Sequence, residues 1–128
     1  MADRPSGFVV AVVDDDQSVL RSLEYLLESA DYFVRLFTSA TALLESGCLP
    51  DIDCLISDID MPGMDGFELV QRLHAVRPGL RVILITGYPD RLQRMPSIAG
   101  IYPGLFTKPF EAAELLAAVR DVVRKTSA

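Results

Sequence analysis

At 128 residues, half of them apolar and 23% charged, the chain has the composition of a single folded domain (1–128, core about 7–125) rather than a disordered or fibrous polypeptide. A formal net charge of -6 argues against direct nucleic-acid binding by this domain, because a phosphate-backbone binder needs a basic face. No apolar run reaches the roughly 18 residues of a membrane span and no signal-peptide core opens the chain, so a cytoplasmic protein without membrane contact is expected.

Phe8–Val13 is a short apolar run rich in β-branched residues, the composition of a strand buried on both faces of a parallel sheet. It ends in Asp14-Asp15-Asp16, and Val19, Leu20, Leu23, Leu26, Leu27 and Ala30 then recur at helical spacing. Asp16 is placed to cap that helix. Tyr32–Phe37 predicts a second strand, and Ser39 caps a short helix through Leu43 and Leu44 to Gly47. The two cysteines, Cys48 and Cys54, have no metal-ligand spacing and read as small hydrophobes rather than a redox pair.

Asp53–Ser57 is the third predicted strand, running straight into Asp58 and the Met61-Pro62-Gly63 turn. Asp65 caps the next helix, whose apolar positions are Phe67, Val70, Leu73 and Val76; Arg77-Pro78-Gly79 stops it. His74 lies on this amphipathic helix and reads as a surface residue. Arg81–Thr86 is a fourth apolar, β-branched strand. Gly87–Gly104 is irregular, holding Pro89, Pro96 and Pro103, so any helix there is short or broken near Pro96. Leu105–Thr107 is a brief fifth strand before Lys108-Pro109. A last helix carries Ala112, Leu115, Leu116, Val119, Val122 and Val123 and is expected to fray from Lys125.

Strand and helix thus alternate five times, without internal repeat, low-complexity tract or linker. Such alternation implies right-handed crossovers and a parallel sheet with helices on both faces, an α/β doubly wound fold. Ligands of such sheets gather at the carboxyl ends of the strands, near the point where strand order reverses. The residues expected at those ends are Asp14 and Asp15, Asp58, Thr86 and Lys108. Clustered carboxylates repel unless a cation joins them, and oxygen-only ligands suit Mg²⁺. An ammonium and a hydroxyl beside them complete a phosphoryl-accepting site, with Asp58 as nucleophile.

With these residues in place, the sequence resembles the receiver domain of two-component response regulators over essentially its whole length. Asp14-Asp15-Asp16 is similar to the family's acidic pair, Asp58 with Met61–Gly66 to its phosphoacceptor segment, Thr86-Gly87 to its hydroxyl-plus-small pair and Lys108-Pro109-Phe110 to its lysine motif. The wording from Asp14 through Ala40 is similar to the FixJ-like branch. The resemblance implies a flavodoxin-like five-stranded sheet of order 2-1-3-4-5, and phosphorylation of Asp58 by a histidine kinase or phosphotransfer protein with Mg²⁺. It further implies that Asp15 and Asp58 hold the metal directly, Asp14 mainly through water, and Asp60 through its backbone carbonyl. Lys108 would pair with the phosphoryl group, Thr86 would move to bond it, and the Lys108–Pro109 bond would be cis, as in many relatives. A homodimer is a possible partner state. Output would run through altered protein contacts.

Two departures bear on output. Relatives usually carry Tyr or Phe three residues before the lysine, where Leu105 stands here as an altered switch position. Pro96 falls in the middle of the relatives' fourth helix, which predicts a different or remodelled signalling surface.

Three rival readings remain. Asp58-Ile59-Asp60 resembles the nucleophile motif of haloacid-dehalogenase-type phosphatases, but the acids that would hold the metal come early rather than late. A phosphorylation-independent interaction module would fit the same fold and is separated by its failure to take phosphate. A flavin site lacks a phosphate-cradling loop after the first strand, where three carboxylates would repel the ligand.

Overall fold

Val9–Val13 (β1), Cys54–Asp58 (β3) and Arg81–Thr86 (β4) form the middle of the sheet, and all their residues are buried except the half-buried Arg81. The computed structural model describes residues 7–87, 104–107 and 111–127. Phe33–Phe37 (β2) pairs with the outer side of β1 and Gly104–Thr107 (β5) with the outer side of β4. Every pairing is parallel, and the order is β2-β1-β3-β4-β5. β2 alternates exposed or half-buried positions, as an edge strand must, and carries Arg35 among its apolar residues.

Two apolar cores lie on opposite faces because successive side chains of a strand point opposite ways. Ala11, Val13, Leu55, Val82 and Leu84 pack with Leu43 of the helix Ala40–Glu45 (α2) and with Leu69, Val70 and Leu73 of Gly66–Val76 (α3). Val10, Val12, Ile56, Ile83 and Ile85 pack with Leu20, Leu23 and Leu27 of Gln17–Ser29 (α1) and with Leu115, Val119 and Val122 of Ala112–Ser127 (α4). The α/β architecture with helices on both faces is therefore present. The segment between β4 and β5, Pro96 included, lies outside the described residues.

Each predicted cap forms. Asp16 accepts from Ser18 N, Ser39 from Ala42 N and Asp65 from Glu68 N, satisfying first-turn amides that have no carbonyl partner within the helix. α4 runs to Ser127 rather than fraying from Lys125. The apolar positions of its sequence end at Val123, but extending a formed helix adds one bond per residue fixed, so the backbone stays helical beyond them. A single 3₁₀ turn, Leu49–Asp51, precedes β3 and was not indicated by the sequence pattern. Arg77, just past the end of α3, secures it by donating through its guanidinium to the carbonyls of Leu49 and Ile52.

Candidate functional site

Parallel strands bring all their carboxyl ends to one rim, and register decides which residues meet there. Val13 pairs with Ser57, and Asp58 pairs with Ile85. Asp14, one residue past β1, therefore stands beside Asp58 at the end of β3, with Thr86 one step further along β4. The crevice between β1 and β3 is where the chain's order reverses, the expected place for a ligand.

Carboxylate oxygens of Asp14, Asp15 and Asp58 all lie within 4.8 Å of one another. Asp14 and Asp58 are buried, at 1% and 4% exposure, whereas Asp15 faces solvent. Two buried acids and one open acid leave a path from water to the cluster. The donor set is oxygen only, which suits a hard divalent cation better than zinc or copper. The rim holds its acids by local backbone bonds: Asp16 N donates to Asp14 Oδ1 at 2.9 Å and Asp60 N to Asp58 Oδ1 at 3.2 Å.

The loop after β3 folds back tightly. Met61 N and Gly66 N both donate to the Ile59 carbonyl, and Ile59 N reaches across to the Ile85 carbonyl at 2.8 Å. Gly63 takes φ +76°, a left-handed conformation that glycine adopts without strain. Gly66 packs so close that a Cβ there would sit 2.7 Å from the Asp58 carbonyl oxygen.

Thr86 is fully buried, and its hydroxyl donates to Asp60 Oδ2 at 2.7 Å. Gly87 N donates to the same oxygen at 3.3 Å. The family resemblance implies a role for the Asp60 backbone carbonyl only, whereas its carboxylate here accepts from Thr86 and Gly87. A signal was available: Asp58 and Asp60 are two apart at a strand end, a spacing that keeps both on one side. Asp14, Asp15, Asp58 and Thr86, expected together from the strand order, stand on one rim. Leu105 lies on β5, its backbone in register with Leu84. Lys108 and the Lys108–Pro109 bond lie outside the described residues.

The family model of the response regulator receiver domain matches residues 10–120. This chain belongs to that family.

Among its relatives, the receiver is 38% identical over 116 residues to the transcriptional regulatory protein FixJ of Azorhizobium caulinodans, covering 91% of this chain and 55% of that protein. It is 34% identical to the response regulator protein TodT of Pseudomonas putida, over 97% of this chain and 54% of that one. The chain thus spans about half the length of these curated relatives. Among solved structures, a signal receiver domain of an HD domain-containing protein from Pseudomonas fluorescens superposes with a TM-score of 0.84 at 30% identity, over 93% of this chain and 96% of that one.

The receiver is accordingly a phosphoryl-accepting signalling switch rather than a classical enzyme. That disposes of the phosphatase reading of Asp58-Ile59-Asp60. Among the described residues, no helix is long and apolar enough to cross a membrane.

Proposed function

We propose that Asp58 is the phosphoacceptor of this receiver and that a histidine kinase or phosphotransfer protein is its donor. The observation that carries the proposal is the cluster itself: a nearly buried Asp58 whose carboxylate shares a 4.8 Å neighbourhood with those of Asp14 and Asp15. Three carboxylates so close repel one another, which favours cation binding at this rim. Asp15 and Asp58 would hold Mg²⁺ directly, Asp14 mainly through water, and Asp60 through its backbone carbonyl. A bound Mg²⁺ supplies charge neutralisation to the acids and to the oxygens of the phosphoryl group.

The remaining work belongs to the protein. Asp60 N, donating to Asp58 Oδ1, orients the Asp58 carboxylate, one oxygen of which attacks. That oxygen forms a bond to phosphorus as the phosphorus–nitrogen bond of a phosphohistidine breaks, and the electron pair leaves with the imidazole. Lys108 and Thr86 are assigned to the phosphoryl oxygens, the first as a point charge and the second as a hydrogen-bond donor. The chain acts in the cytoplasm. The name of the FixJ relative, a transcriptional regulatory protein, makes transcriptional regulation the proposed setting, and a second copy of the chain is a proposed partner. Leu105 in the relatives' aromatic position supports output through a remodelled surface.

Treatment with acetyl phosphate and Mg²⁺ tests the central assignment by intact mass. The wild-type protein gains one phosphoryl group and Asp58→Asn gains none; labelling that persists in Asp58→Asn overturns it.

A further inference from the structure

Resting on Asp58 as phosphoacceptor, we infer that the Asp60 carboxylate is an internal competitor of the phosphoryl group, holding Thr86 and Gly87 until Asp58 is modified. One oxygen, Asp60 Oδ2, accepts both the Thr86 hydroxyl at 2.7 Å and the Gly87 amide at 3.3 Å. These two donors lie at and just past the end of β4, the strand paired with β3 at Asp58 and Ile85. An O–H and an N–H converging on one anionic oxygen form a small anion cradle at the rim where a phosphoryl group on Asp58 would add further anionic oxygens.

The two uses exclude each other. A hydroxyl has one proton to donate, and an amide N–H likewise. A phosphoryl oxygen on Asp58 can take these donors only after the Asp60 carboxylate releases them. The Asp60 carboxylate and a phosphoryl oxygen are both charged acceptors, whose hydrogen bonds are about twice as strong as neutral ones, so the phosphoryl group gains only the difference when it takes these donors from Asp60. Asp60 as a residue is half-buried whereas Thr86 is fully buried, so the exchange takes place at the edge of the rim rather than in the core. Asp60 is a positioning residue in this scheme: it acts on the phosphoryl group through Thr86 and Gly87. The consequence is a switch biased toward its unmodified state by the protein's own anion.

Binding of beryllofluoride, a phosphoryl mimic that bonds to carboxylate oxygen, tests this in the presence of Mg²⁺. Calorimetry compares wild type, Asp60→Ala, Asp60→Asn, Thr86→Ala and the Asp60→Ala/Thr86→Ala double variant. Asp60→Ala is expected to bind the mimic about tenfold more tightly or better, the worth of one hydrogen bond to a charged group. Asp60→Asn, which keeps an oxygen acceptor without the charge, falls between. The gain shrinks in the Thr86→Ala background, because the held hydroxyl is gone. In metal-free protein, the Gly87 amide proton resonance moves upfield in Asp60→Ala. An equal gain in both backgrounds would reduce Asp60 to simple charge repulsion and overturn the inference, as would unchanged affinity in Asp60→Ala. If wild type and every variant fail to bind beryllofluoride, it is the phosphoacceptor assignment that falls, and the competitor role with it.

Discussion

Gly66 and Asp58 are in backbone contact: a Cβ built on Gly66 would lie 2.7 Å from the Asp58 carbonyl oxygen and 2.8 Å from Ile59 Cα. Both neighbours are backbone atoms of the segment that aims the acceptor carboxylate, so neither can swing aside as a long side chain would. Gly66→Ala is therefore expected to destabilise the fold by about 1–3 kcal/mol, the usual range for overpacking a tight site. It should also slow phosphoryl acceptance by shifting Asp58. Urea titration and acetyl phosphate labelling measure the two effects; a variant as stable and as readily labelled as wild type contradicts the contact.

Mg²⁺ is expected to raise the melting temperature, since the Asp14, Asp15 and Asp58 oxygens are assembled only in the folded chain. Ligand linkage gives about 2.7 kcal/mol when the ion stands at a hundredfold its Kd. The gain should largely vanish in Asp15→Asn and Asp58→Asn. A thermal scan with and without millimolar Mg²⁺ decides it, and identical curves for wild type count against a metal at this rim.

The two thiols should differ sharply in reactivity. Cys54 is fully buried, and burial, with the neighbouring Asp53 charge adding to it, pushes its pKa from 9.0 up to about 12. Cys48 is only half-buried. Brief iodoacetamide treatment of native protein at pH 8 should add one group, at Cys48, and two after unfolding. The sign for stability follows from the raised value. The fold favours the protonated thiol, so the Cys54 contribution is complete below pH 9.0 and is lost as pH rises toward about 12. Chemical denaturation of wild type against Cys54→Ala across that range should show the difference narrowing upward.

Arg77 ties the end of α3 to the 3₁₀ turn before β3 through two carbonyls, those of Leu49 and Ile52. Arg77→Ala should cost about 1–3 kcal/mol, the penalty for stranding acceptors bonded to a charged group. Arg77→Lys should recover only part of it, because a single ammonium lacks the planar fork that reaches two acceptors. An Arg77→Lys variant as stable as wild type in urea would show that the fork is unimportant.

Much of the molecule was legible in local pattern. β1, β3 and β4 were legible because a strand covered on both faces has to be apolar at nearly every position. Asp16, Ser39 and Asp65 were legible because capping is chemistry within three residues. Alternation then placed Asp14, Asp15, Asp58 and Thr86 on one rim, since parallel strands joined by helices put every carboxyl end on the same side.

Relations between segments were not legible. Arg77 reaching back to Leu49, Asp53 Oδ2 accepting from Val9 N at 2.8 Å, and Asp60 receiving the Thr86 hydroxyl each join residues more than twenty positions apart. No periodicity encodes such pairs. They depend on strand register and on how the loop after Asp58 packs over Gly66, which only the closed sheet decides. The sequence by itself determined that Asp58 would stand as a carboxylate at a strand end among other acids. The tertiary structure decided that Asp60, two residues on, would spend its own carboxylate on Thr86 and Gly87, because register brought the end of β4 within hydrogen-bonding distance of that loop.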